Sequence, residues 1–177
     1  MKRTLLLALA ALLAIAGLAA PAYAKAKQAA APQPKVTAVK VLEFGVYTST
    51  VEKRENSPTI ADGIKDRAKD FKLVRKSTLV DASLGIGIGM KYVLRGTPKG
   101  AAVNIDVVVR HPRMVNPDTG EAMTESSASF ERVIGTPEYA VWSFDTPEGL
   151  VPGEYVIELA LEGKVLASKV FRVKVRE

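Results

Sequence analysis

The 177-residue sequence contains no cysteine, one histidine and one tryptophan. Without cysteine there is no disulfide framework, no thiolate metal site and no lipid-carrying N-terminal thiol. A single histidine, His111, leaves a zinc site short of its usual three or four nitrogen and sulfur ligands. It also leaves a catalytic triad to be completed by residues that no local motif supplies. Aromatic residues are only 6% of the chain, and no basic patch is interleaved with them. The net charge of +6 is therefore read as solubility, and nucleic acid is not an expected partner.

What is present begins at the N-terminus. The basic start "MKRT" leads into the apolar run "LLLALAALLAIAGLAA", residues 5–20, and then "PAYA", where Ala22 and Ala24 are the small residues of a cleavage site. That order is a secretory signal peptide over residues 1–24. A membrane anchor takes about 20 apolar residues with no such site behind them, so no stable membrane insertion is expected after cleavage. The expected location is the periplasm, or the medium if the protein is fully secreted. Removing those 24 residues, two basic and none acidic, leaves 153 residues at a net charge of +4. "KAKQAAAPQPK", residues 25–35, reads as a flexible linker. Residues 36–177 are then one domain, long enough to bury a core without covalent staples.

That domain reads as β-strands. "AVNIDVVVR" places Val103, Ile105, Val107 and Val109 on one face and Asn104, Asp106 and Arg110 on the other. "EYVIELALE" does the same with Tyr155, Ile157, Leu159 and Leu161, and Glu162-Gly163-Lys164 turns into "VLASKVFRVKVR". Adjacent Val170 and Phe171 point to a bulge there. Further strands are expected at about residues 36–48, 72–80, 86–94, 127–134 and 139–144. The polar stretch "VEKRENSPTIADGIKDRAKD", residues 51–70, breaks the alternation and is expected as a long excursion with a helical turn or two near residues 60–68. The fold class is all-β, an antiparallel sandwich of about 7–8 strands.

"SLGIGIGM", residues 83–90, carries glycine at positions 85, 87 and 89. A G-x-G-x-x-G loop needs glycine where Met90 or Tyr92 stands, and no helix pattern follows to present its N-terminus to a phosphate, so nucleotide binding is excluded. On a strand, Ile86, Ile88, Met90, Tyr92 and Leu94 share the core face, and Gly85, Gly87 and Gly89 leave the other face bare. Such a face receives a close neighbour. Either Trp142 or the long excursion lies over it, or it forms a shallow binding slot.

The candidate chemistry is sparse. His111 stands in "RHPRMVNPDTGE", between a strong strand and a turn. It is either a loop site together with Arg113, Asp118 and Glu121, or a strand-end side chain packed on Pro112. The acidic spacing of "DTGE" is not that of an EF-hand, and turn chemistry accounts for it. Ser126, Ser127 and Ser129 lie in no nucleophile motif. No catalytic residue, metal or cofactor is assigned.

"LVPGEY", residues 150–155, resembles the entry to a late strand of immunoglobulin-like bacterial modules, with Tyr155 in the place of a tyrosine corner. The longer pattern of "STLVDASLGIGIGMKYVLRG", "VVRHPRMVNPDTGE" and "FDTPEGLVPGEYVIEL" is similar to a family of exported bacterial proteins, the domain-of-unknown-function family numbered three-eight-five-nine. The resemblance runs from about residue 39 to 175. It implies a single immunoglobulin-like sandwich and no particular activity.

Three functions remain in view. A non-catalytic binding or structural module of the cell envelope, with an envelope protein or glycan as partner, presents loops such as residues 110–125 from a rigid sandwich. A chaperone or assembly factor works by strand addition at an exposed edge, with the glycine strand as the candidate. A hydrolase of an envelope polymer needs a cleft holding two carboxylates. The first is the expectation.

Overall fold

The structure is a computed structural model that describes residues 33–175. The expected signal peptide and all but the end of the expected linker lie outside the described residues. Strands follow in the order β1 (Lys35–Asn56), β2 (Ile64–Arg75), β3 (Leu79–Ala82), β4 (Ile86–Thr97), β5 (Ala102–Val115), β6 (Ala122–Val133), β7 (Pro137–Phe144), β8 (Gly153–Leu161) and β9 (Lys164–Val175). They form a four-stranded sheet, β2-β1-β4-β7, packed on a five-stranded sheet, β3-β9-β8-β5-β6. Every pairing is antiparallel except β3 with β9. The nine strands are slightly more than the seven or eight that periodicity counts, and Lys35, assigned to the linker, already belongs to β1.

The core follows the period of two. Ile88, Met90, Tyr92 and Leu94 of β4 face Ile105 and Val109 of β5, Tyr155, Ile157 and Leu159 of β8, and Phe171 and Val173 of β9, all of them buried. Burying each large side chain contributes about 1.5–3 kcal/mol, and a dozen such residues hold the sheets together without a disulfide. The Tyr155 hydroxyl donates to the Val151 carbonyl at 2.7 Å and closes the tyrosine corner. β9 does carry the expected bulge, nearer its start: Leu159 pairs with Ala167 and Ala160 with Val165, so Leu166 is the extra residue, while Val170 points outward and Phe171 inward in regular alternation.

Residues 51–70 are not an excursion with a helical turn. β1 runs on to Asn56, a turn follows, and β2 returns antiparallel along it. This hairpin has no apolar face to read, because charge pairs hold it. Arg54 lies opposite Asp66 and donates to both its oxygens, Nε to Oδ1 at 2.9 Å and Nη2 to Oδ2 at 2.8 Å, and Lys69 meets Glu52 at 2.7 Å. Register shifts at Val46/Tyr47, Thr48/Thr50 and Val51/Lys53 coil it strongly. The coiling brings Phe71, at one edge of its sheet, into a stack on Tyr139 of β7, at the opposite edge, with ring centroids 4.6 Å apart. The four-stranded sheet therefore curls round so that its two edge strands approach each other.

Candidate functional site

β6 and β7 are neighbours in sequence but belong to different sheets, joined by residues 134–136. Their facing edges diverge from that turn. Arg132 of β6 pins the narrow end. Its guanidinium donates to the Tyr139 carbonyl at 3.5 Å and the Tyr92 hydroxyl at 3.3 Å, and pairs with Glu138 at 3.5 Å. The tip of the β1–β2 hairpin crosses the wide end as a strap. Ser127 N–H donates to the Thr59 carbonyl, the Thr59 hydroxyl to the Ser127 carbonyl, and Ala61 N–H to Ser126 Oγ at 2.8 Å. The wholly buried Asn116 fastens the same tip, donating to the Ile60 carbonyl at 2.7 Å while its own oxygen accepts from Asp118 and Thr119 N–H.

Strap, β6 and β7 enclose a cleft of about 540 Å³. It is bordered without a break by residues 64–68 of β2, 128–132 of β6 and 138–143 of β7. Successive residues of a strand point to opposite faces, so a cleft that touches them all runs along the strand's edge. Each of these three strands ends its sheet, and each edge facing the cleft is free of a sheet neighbour. Val107, Val109 and Trp142 supply the apolar floor.

Trp142 is 6% exposed, and its indole N–H has no partner among the described residues. Buried donors are paired in about 90% of cases, which makes this one a feature of the cleft to be explained. Its ring stacks on His111, centroids 5.4 Å apart. His111 lies beneath the floor, with Nδ1 2.8 Å from the Pro112 carbonyl and Nε2 2.9 Å from Ser126 Oγ. A carbonyl only accepts, so Nδ1 carries the proton, Nε2 accepts, and Ser126 donates to it. Burial lowers the His111 pKa and keeps the ring neutral. The pair has the spacing of a nucleophile and its base. However, Ser126 is 2% exposed, and its oxygen gives one hydrogen bond to His111 and takes another from Ala61, so it serves as a fastening between strap and core.

At the wide end lie Asp62, Asp66 and Asp145. Asp62 is buried, and burial pushes its pKa up to about 6. Asp145 is raised by burial and by Asp66 beside it, while Arg54, 3.6 Å away, acts against the shift. Among the described residues no group of three or more His, Asp and Glu side chains is placed to hold a metal ion.

The structure does not bring the proposed loop residues together. The stretch 110–125 is mostly strand, since β5 extends to Val115 and β6 starts at Ala122. His111 points into the core, whereas Arg113, Asp118 and Glu121 are exposed. The alternation that makes Val109 an inward residue makes His111 one as well. The glycine face is also closed. A Cβ on Gly89 would lie 2.2 Å from the Ala140 carbonyl oxygen, and one on Gly87 2.6 Å from Val141 Cγ1. Val141 of the neighbouring strand thus fills the face, and Trp142, opposite Ile88, lies on the other side of the sheet. Gly85 is in a turn at φ +83°, with open space around it. β4 is an inner strand, so the glycine strand offers no edge for strand addition. Sequence reasoning missed Asp62, Asn116 and Ser126; the turn-forming runs "ENSPTIADG" and "VNPDTG" around the first two were the available signal.

The two-sheet sandwich with its tyrosine corner defines an immunoglobulin-like β-domain, here with a cleft between free strand edges. The chain belongs to the family described as Domain of unknown function (DUF3859), whose model matches residues 35–173. An immunoglobulin-like protein from Pseudomonas aeruginosa is similar in fold, with a TM-score of 0.56 at 21% identity over 82% of this chain and 99% of that one. The alkylpurine DNA glycosylase AlkC of Pseudomonas fluorescens gives a TM-score of 0.36 at 16% identity, over 75% of this chain and 30% of that one, which is too low to carry an argument. No curated protein matches.

Proposed function

We propose that the protein is an exported, non-catalytic binding module of the cell envelope, and that its ligand lies in the cleft among β2, β6 and β7. The observation that carries this reading is the cleft itself: about 540 Å³, floored by Trp142 with an unpartnered indole N–H. That volume and an apolar floor set among a few polar groups are the general form of a ligand site. Fastening the Ser126–His111 pair inside the protein removes the obvious nucleophile and favours binding over turnover. Export rests on residues 1–24.

Photo-crosslinking in cells tests it. A photoreactive residue at Ser143, which lines the cleft, is compared with one at Val170, 43% exposed on β9. A discrete adduct is expected from position 143 and none from position 170. Equal labelling from both, or none from either, overturns the site. N-terminal sequencing of the processed protein is expected to begin at Lys25.

A further inference from the structure

We propose that the occupant of this cleft is an extended polypeptide segment bearing basic side chains, added as a strand along the free edge of β7. The inference rests on the binding role proposed above and names the ligand's chemistry. A site for a compact small molecule needs a few convergent side chains. This one is bordered mainly by strand edges, whose exposed N–H and C=O groups are the natural partners of another main chain. Of the three edges, that of β6 is already bonded to Thr59 through Ser127, and β2 runs along the strap. On β7 only the Tyr139 carbonyl is engaged, by Arg132, which leaves about 20 Å of edge over residues 138–143 at roughly 3.3 Å per residue.

Charge selects the kind of segment. The cleft is lined by six acidic residues (Glu55, Asp62, Asp66, Glu131, Glu138, Asp145) and three basic ones (Lys65, Arg67, Arg132), and even with Arg54, which pairs with Asp66 and Asp145 from just outside, acids outnumber bases, in a mature chain whose net charge is +4. A net-negative recess on a positive protein complements a basic ligand. Alternate side chains of an added strand fall on opposite sides. One set meets the floor of Val107, Val109 and Trp142, and the other meets the acidic border, where a basic side chain competes with Arg54 for Asp66 and Asp145. An alternating apolar and basic sequence fits both.

The test uses the mature chain with 5-fluorotryptophan at its single tryptophan, so that one 19F resonance reports from Trp142. The probes are an end-blocked nonapeptide alternating Val and Lys, its Val–Glu counterpart, and Val–Lys peptides N-methylated at each position in turn. Strand addition predicts saturable shifts with the Val–Lys peptide and at least tenfold weaker binding of the Val–Glu peptide. In a one-sided ladder only every second N–H faces the partner, so N-methylation is expected to cost tenfold or more at alternate central positions and less than about twofold between them. Uniform tolerance or uniform loss along the peptide overturns strand addition. Equal binding of the two peptides overturns the charge argument. If neither peptide moves the resonance while the Ser143 adduct still forms, the polypeptide occupant falls and the binding site stands. If the adduct is also absent, both fall.

Discussion

Asp62→Asn probes the buried carboxylate of the strap. Asp62 is 6% exposed, its Oδ1 accepts the Ile64 N–H at 3.2 Å, and burial raises its pKa from the ordinary 3.8 to about 6. The folded state then holds its proton more tightly than the unfolded chain does. Stability from this group is full below about pH 4 and falls as pH rises towards 6. A difference of about 2 pH units at about 1.4 kcal/mol each gives a loss on the order of 3 kcal/mol by pH 7. Asparagine keeps the oxygen that Ile64 needs and removes the charge, but buries an amide NH2 that costs about 1–2 kcal/mol. The expected net gain is about 1–2 kcal/mol at pH 7.5, turning to a small loss at pH 4. His111 acts in the opposite sense. Its lowered pKa gives stability that is present above 6.5 and lost as pH falls, so the variant should weaken on acidification more clearly than the wild type. Asp145, also raised, retains a slope of the Asp62 sign in both proteins. Urea unfolding followed by Trp142 emission from pH 4 to 8 measures this. A variant equally destabilised at pH 4 and 7.5 would refute the burial of this carboxylate.

Four other substitutions read separate parts of the account. Ser126→Ala strips Ala61 N–H and His111 Nε2 of their shared partner and is expected to cost about 1–3 kcal/mol, with faster hydrogen exchange at Ala61. Tyr155→Phe removes the corner hydrogen bond to Val151 and is expected to lower unfolding stability by about 1 kcal/mol. Gly89→Ala drives a methyl into the Ala140 carbonyl on an inner strand and is expected to cost about 3 kcal/mol or more by denaturant titration. Gly85→Ala, in open space at positive φ, is expected to cost about 1 kcal/mol.

The parts legible in the sequence are those where a single period governs the chain. Residues 86–94, 103–109 and 155–161 alternate because one face meets the core, and Ile88, Met90, Tyr92, Leu94, Ile105, Val107, Val109, Tyr155, Ile157 and Leu159 are buried as the alternation picks them out, while Gly87, Gly89, Val93 and Ala160 are buried on the other face. The β1–β2 hairpin hid itself because both of its faces are polar. Its strand pairing comes from backbone bonds and from charges such as Arg54 and Asp66, which stand twelve residues apart in the chain. The His111 loop was misplaced for the opposite reason, since Pro112 and the turn at 116–121 look like loop chemistry although β5 continues between them. The cleft itself was beyond reach. It depends on two consecutive strands parting into different sheets and on a coiled hairpin crossing the gap, and no local spacing encodes either.

The central claim is that the cleft at Trp142 takes a ligand. The most direct measurement is the 19F spectrum of 5-fluorotryptophan-labelled protein titrated with cell-envelope extract, beside a Ser143→Arg variant that obstructs the cleft. The account predicts a saturable shift of the single resonance in the wild type and none in the variant. A resonance that stays fixed in both, with the fold intact, would contradict it.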